Sequence, residues 1–327
     1  MKVWDLLVCP KCKGKLSKGN GIVKDGYIAC ESCGKRHPLV NGIIDFGSIE
    51  SELSDKDWSK QGFEKVYKQL GDWDSIYDWD QKSGVPKDAS RYKYARVKGK
   101  ILDMLKPQTG DWVLDLGCGN GYFIVEMFNK LSRDVASLNY IGLDVSEHNI
   151  MNFQKRIKRK KINNVNIFIG RAEILPFKSN SINWITCSEV LEHIEDKELA
   201  LKEVYRVLAH GGTFLFSTPS KEGLRSWKVI LFPFRLGRRL FQVFLRKSGQ
   251  IGPFDQPISK NKYTTILKEA GFKDIKLNTG QLLSDGITKN IPKVLLNTYI
   301  FLTNIVEKNI PIMRKLFGLH IIGYARK

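Results

Sequence analysis

One strand that runs directly into a glycine-rich turn, WVLDLGCGNGYF at residues 112–123, restricts the fold of this chain more than any other feature. An apolar run ending in Asp115 and followed by Gly117, Gly119 and Gly121 lets the backbone reverse sharply, pass close to a ligand and enter a helix. Alone, such a turn is common to nicotinamide, flavin and other nucleotide-binding proteins. The next strand, YIGLDVS at 140–146, ends in Asp144 at the distance where a carboxylate accepts hydrogen bonds from ribose hydroxyls, which narrows the ligand to an adenosine type. From Lys98 onward, short apolar strands alternate with helical stretches, as in a parallel sheet with helices on both faces. The expected fold is therefore α/β and doubly wound.

Ahead of this region, Cys9-Pro-Lys-Cys12 and Cys30-Glu-Ser-Cys33 form two CxxC pairs, followed by Gly14 and Gly34. Four thiolates from two tight knuckles satisfy tetrahedral Zn2+ and leave no position open for catalysis, so Cys9, Cys12, Cys30 and Cys33 are expected to hold structural zinc. His37 is a spare, expected to be packed or solvated. Cys118 and Cys187 lie in apparent core strands, so the six cysteines suggest a reducing compartment rather than a disulfide framework.

Three later segments carry a resemblance: GRAEILPF (170–177), SINWITCSEVLEHI (181–194) and LKEVYRVLAHGGTFLFSTP (201–219). Together with the glycine turn they resemble the class I S-adenosylmethionine-dependent methyltransferases, in the group that includes quinone and lipid enzymes. The likeness spans about residues 112–219 and resumes at YTTILKEAGFKDI (263–275). It implies a seven-stranded Rossmann-like sheet and S-adenosyl-L-methionine as cofactor. It also implies that Asp115, Gly117 and Gly119 cradle the methionine portion, Asp144 holds the ribose, Ala172 and Glu173 line the adenine, and Ser188 sits beside the sulfur. One departure is Arg171, where the family commonly has Asp, because an Arg cannot accept a hydrogen bond from the adenine amino group. The stretches LLVCPKCKGKL and YIACESCGKRHPLVNGIIDF resemble a small zinc-ribbon family that activates translation- and tRNA-modifying methyltransferases.

For chemistry, Glu189, Glu192 and His193 form ExxEH. On a helical start, Glu189 would lie one turn from both partners. Similar motifs hold a divalent metal in quinone O-methyltransferases and small-RNA 2′-O-methyltransferases, so Mg2+ is one reading. His193 as general base, beside Glu189, is the other. The turn Cys187-Ser188-Glu189-Val190 lacks the Asn/Asp-Pro-Pro-aromatic turn of amino-group methyltransferases, which favours an oxygen or carbon acceptor.

The expected division is a zinc ribbon at 1–47, a helical linker or cofactor-site cap at 48–98, and the methyltransferase domain at 99–327. That domain carries insertions at about 219–259 and 281–318. No apolar run reaches the length of a transmembrane helix, and no signal peptide is visible. The net charge of +19 calls for an anionic partner, either nucleic acid or a membrane surface. In FRLGRRLFQVFLRK (234–247) a narrow arc of Arg235, Arg238, Arg239, Gln242 and Arg246 faces a broad apolar arc, the pattern of an interfacial helix. The second insertion, PKVLLNTYIFLTNIVEKNIPIMRKLF, is again apolar and edged with basic residues. The leading expectation is a cytoplasmic enzyme, peripheral to the inner face of the membrane, that methylates a hydrophobic or lipid-linked acceptor. An RNA methyltransferase is the alternative, and a non-catalytic methyltransferase-like scaffold the third reading. The sequence leaves the oligomeric state open.

Overall fold

The computed structural model describes residues 2–17, 26–47, 86–131, 138–231, 256–280, 282 and 292–327. The basic and apolar segment at 234–247, and Trp58, Trp73, Tyr77 and Trp79 of the linker, lie outside the described residues.

The N-terminal unit is a small antiparallel sheet of β1 (Tyr27–Ala29), β2 (Arg36–Val40) and β3 (Ile43–Ile44). Asn41 and Gly42 join β2 to β3 with φ of 50° and 81°, the left-handed pair that a two-residue hairpin requires and that Asn-Gly accepts most easily.

The large sheet contains β4 (Trp112–Leu116), β5 (Asn139–Asp144), β6 (Val165–Ile169), β7 (Ile182–Ser188), β8 (Leu208–Pro219), β9 (Asp274–Gly280) and β10 (His320–Arg326). Its order is β6-β5-β4-β7-β8-β10-β9. β10 runs antiparallel to β8 and β9, while the β6-to-β8 set is parallel. Every residue of β4 is buried, as a central parallel strand covered on both faces must be. The sheet is thus the expected seven-stranded Rossmann-like arrangement.

Helices cover both faces. α1 (Lys87–Arg96), α2 (Lys98–Met104), α3 (Tyr122–Leu131) and α4 (Glu147–Lys160) precede α5 (Lys197–Val207), α6 (Lys221–Leu231), α7 (Lys260–Ala270), α8 (Lys293–Asn309) and α9 (Pro311–Phe317). Ile101, Phe123, Ile124, Met127, Ile150 and Phe153 from α2, α3 and α4 fill one side of the sheet. Leu201, Val204 and Val207 from α5, with Tyr263, Ile266 and Leu267 from α7, fill the other. In α4, Ser146 caps the N-terminus by accepting from Asn149 N, and Lys158, Arg159 and Lys160 occupy the last turn. Much of the run KRIKRKK is therefore a basic helix end that complements the helix dipole.

The ribbon is built onto this sheet. Leu6, Leu7, Leu16, Ile28, Ile44 and Phe46 belong to the same buried cluster as Phe168, Phe177 and Val204. Asp45 makes a parallel bridge to Ile169 of β6, Leu7 an antiparallel bridge to Phe177, and Phe46 N donates to Ile169 O at 2.8 Å. The ribbon thereby lies along β6, the edge strand of the sheet, whose unpaired groups would otherwise face solvent. No described helix is long and apolar enough to cross a membrane.

Candidate active site and metal centre

The glycine turn leaves the C-terminal end of β4 with φ of 72° at Gly117, 53° at Gly119 and 80° at Gly121. Gly117 N donates to Leu143 O, and Gly119 N to Asp144 Oδ2 at 2.8 Å, so the end of β5 holds the turn. The other oxygen, Asp144 Oδ1, accepts from Ser146 N at 2.9 Å and fixes the entry to α4. A Cβ at Gly117 would lie 2.3 Å from Val190 Cγ2, whereas one at Gly119 would meet nothing within 4 Å. The turn is thus packed on its Val190 side and open at Gly119, where a ligand can approach the backbone.

Asp115 is buried, and its Oδ1 accepts from Thr186 Oγ1 at 2.8 Å. Its Oδ2 is buried without a hydrogen-bond partner. Burial pushes the carboxyl up to about 7, against the opposing effects of Thr186 and of Lys98 on α2. An orphaned carboxylate oxygen beside an open glycine turn fits a cationic ligand group such as the ammonium of S-adenosylmethionine. Ala172 and Glu173, both buried, form a short 3-10 turn after β6. Arg171 Nη2 stands 3.6 Å from Glu173 Oε1, so the departure from the family pattern balances a buried carboxylate. Ser188 Oγ is 2.9 Å from Ser217 Oγ at the ends of β7 and β8.

ExxEH takes a different geometry from the helical start expected of it. Glu189 has φ of 58° and only Leu191–His193 form a 3-10 turn, so the motif does not share one helical face. Glu189 Oε2 instead lies 2.8 Å from His320 Nε2. Glu192 accepts from Thr218 Oγ1 at 3.1 Å and lies 3.8 Å from His193 Nε2. Among the described residues, only the four cysteines form a group close enough to hold a metal ion, which leaves Mg2+ without support here. His320 escaped sequence reasoning because it belongs to no motif and reaches the site only through the antiparallel return of β10.

In the ribbon, Cys9 Sγ is 3.8 Å from Cys33 Sγ, and Cys12 Sγ is 3.4 Å from Cys30 Sγ. All four sulfurs lie within 4.8 Å of one another. Four sulfurs at about 2.3 Å from a tetrahedral zinc stand roughly 3.8 Å apart, so the cluster fits a zinc ribbon. His37, the spare, is buried, with Nε2 3.6 Å from Cys9 Sγ and its ring 5.1 Å from that of Phe46. Burial holds it towards the neutral form, suited to donate to a thiolate.

A methyltransferase domain family matches residues 107–271. A demethylmenaquinone methyltransferase of Listeria welshimeri is 25% identical over 189 residues, covering 56% of this chain and 79% of the relative. One from Geobacillus sp. (strain WCH70) is 24% identical over 225 residues, covering 66% and 89%. Among solved structures, a complex between the Haloferax volcanii Trm112 methyltransferase activator and a putative methyltransferase aligns with a TM-score of 0.51 and 16% identity. That alignment covers 76% of this chain and 95% of the solved one, and it supports the fold.

Proposed function

The chain belongs to the methyltransferase domain family and is an S-adenosylmethionine-dependent methyltransferase, and from that premise we propose that its acceptor is a hydrophobic molecule reached at an anionic membrane surface. When bound, S-adenosylmethionine supplies a methyl group on a sulfonium, which is displaced by an acceptor oxygen or carbon while the bonding pair stays on sulfur. For cofactor binding, Asp115 Oδ2 receives the ammonium, Gly117 and Gly119 admit the methionine backbone, and Asp144 takes the ribose hydroxyls with its remaining lone pairs. Ala172 and Glu173 border the adenine, and Ser188 lies beside the sulfur. Lys93 on α1 and Lys98 on α2 act electrostatically on Glu189 and Asp115, which supports a capping role for the end of the 48–98 segment. Cys9, Cys12, Cys30 and Cys33 bind structural zinc in this reading.

The observation that carries the acceptor class is the surface of α8 and α9. Apart from Tyr27, every exposed large hydrophobic among the described residues lies there: Val294, Leu295, Phe301, Leu302, Ile305, Ile310, Ile312 and Leu316. The opposite side of α8 is anchored through buried Leu296 and Glu307, the latter accepting from Tyr92 OH and facing Arg96 and Lys100. Lys308 and Lys315 are exposed beside the apolar stripe, and the acidic Glu307 is turned inward. An apolar stripe edged by cations suits acyl chains below anionic headgroups, whereas an RNA site gains little from aliphatic side chains. Sequence similarity to demethylmenaquinone methyltransferases points to the same acceptor class.

Flotation with phosphatidylglycerol vesicles tests this. Phe301→Ser with Leu302→Ser is expected to weaken vesicle binding roughly 10²- to 10⁴-fold, from about 1.5–3 kcal/mol per lost apolar side chain, with cofactor affinity intact. Absence of wild-type flotation, together with tight RNA binding at physiological salt, would overturn the membrane assignment in favour of an RNA substrate.

Cofactor affinity is also expected to depend on pH through Asp115. Its folded value of about 7 lies above that of an exposed carboxylate, so without ligand its contribution to stability is lost as pH rises from about 4 through about 7. A cationic ligand needs the ionised form. Affinity should therefore fall about tenfold per unit as pH drops below about 7, and Asp115→Asn should flatten the profile while lowering affinity throughout. Calorimetry from pH 5.5 to 8 reads both, and a flat wild-type profile refutes the assignment of Asp115.

A further inference from the structure

The end of β7 and the start of β10 bring together two groups that are 131 residues apart in sequence, Glu189 and His320. His320 pairs with Pro219 at the C-terminal end of β8 and with Gly280 at the end of β9, so it stands at the edge of the sheet that carries the glycine turn. It is buried, and its Nε2 faces Glu189 Oε2 across 2.8 Å. Glu189 follows Ser188, its backbone N donates to Ser217 O at 3.0 Å, and the next residue, Val190, packs against Gly117. A left-handed φ of 58° at a glutamate is a strained conformation, and the carboxylate it carries is paired with His320 of β10. The second oxygen, Glu189 Oε1, is buried and has no hydrogen-bond partner.

Resting on the methyltransferase reading, we infer that Glu189 and His320 form the acceptor-positioning pair, in which Glu189 Oε1 receives the hydroxyl of a neutral phenolic or enolic acceptor and His320 fixes the carboxylate. An ionised carboxylate only accepts hydrogen bonds, so its ligand must be a donor. Burial alone would raise the Glu189 carboxyl, but the His320 imidazole, the Ser217 contact and Lys93 hold it down at about 2, so it stays ionised. Lys93 acts electrostatically on the same carboxylate, so an ammonium acceptor would find part of its negative charge already countered. A hydroxyl needs only the lone pair: its O–H donates to Oε1, its oxygen bonds the methyl carbon as the carbon–sulfur bond breaks with the pair left on sulfur, and the proton passes to solvent. His320 acts through Glu189 and is a positioning residue.

The test uses the full chain and 1,4-dihydroxynaphthalene in phosphatidylglycerol vesicles as acceptor. Glu189→Gln, His320→Ala and His320→Gln are compared for S-adenosylmethionine binding by calorimetry and for kcat and KM towards this hydroquinone. The expected result is cofactor affinity within about twofold of wild type in all three, with kcat/KM lowered about 10²-fold in Glu189→Gln and His320→Ala. His320→Gln, which keeps a donor towards Glu189, should recover about tenfold over His320→Ala, a rescue that loss of packing alone would not give. Thermal melts with cofactor bound identify a variant that has failed to fold, and Glu189→Gln then decides alone. Wild-type turnover in Glu189→Gln, or a wild-type enzyme that binds cofactor yet neither binds nor methylates the hydroquinone, would overturn the inference. Failure of the wild type to bind S-adenosylmethionine would instead overturn the cofactor reading.

Discussion

Gly117→Val is expected to lower S-adenosylmethionine affinity by more than about 10²-fold. Two effects act together. A β-branched residue at φ of 72° occupies a region that L-residues avoid, and its Cβ would lie 2.3 Å from Val190 Cγ2. The side chain cannot be relieved by a rotamer change alone, because the close contacts are to the Val190 Cβ and both of its methyl carbons. Val190 would have to move, and with it Ser188 and Glu189. Gly211→Ala is the control: Gly211 also has a positive φ, 76°, but an added Cβ there meets nothing within 4 Å. It should cost about 1 kcal/mol of stability and leave cofactor binding unchanged. Asp144→Ala should approach the Gly117→Val effect by a separate route, since it removes the acceptor for Gly119 N and Ser146 N as well as the ribose partner. Calorimetry at constant pH measures all three, and wild-type affinity in Gly117→Val with Asp144→Ala would reject the assigned site.

The second large effect is expected on removing zinc. Freshly purified protein should carry one zinc per chain, and Cys30→Ser, or a strong chelator, should unfold the ribbon. Structural zinc binding contributes about 10–16 kcal/mol in small peptides, so even partial loss is large against the usual stability of a domain. Burial pushes the Cys9 thiol up to about 12 in the absence of a cation, so the metal must displace its proton and metal loss should be promoted by acid. Because Leu6, Leu7 and Phe46 share a cluster with Phe168 and Phe177, unfolding of the ribbon should strip one side of the large sheet. A fall in Tm on the order of 10 °C is expected, at ~2–4 °C per kcal/mol. Protein lacking stoichiometric zinc, with Tm unmoved in Cys30→Ser, would contradict the assignment.

Residues whose role is local were legible in the sequence. The β4 run reads as a strand because it is an apolar stretch ending at a glycine turn, and the alternation of strands and helices announces a parallel sheet. The places of Asp115 and Asp144 at strand ends could be read from the sequence, and so could the clustering of the four cysteines from their knuckle spacing. Three features were hidden, each because it depends on distant backbone. Glu189 stands outside the 3-10 turn of Leu191–His193 with a positive φ, which no propensity predicts for a glutamate. His320 becomes its partner only through the register of β10 against β8. Docking of the ribbon along β6 rests on main-chain bonds at Asp45 and Phe46, whose side-chain identities carry little of the signal. Arg171 is similar: it reads as a departure until Glu173 is seen beside it.

The ribbon that closes the β6 edge is tethered by the chain's own backbone. A separate subunit filling the same place would dissociate on dilution, and the fraction covered would follow mass action. A tethered one experiences an effective concentration set by the connecting segment and not by the amount of protein. The covered fraction is thus independent of how much protein the cell makes, and synthesis of one polypeptide delivers sheet and edge cover in strict one-to-one ratio.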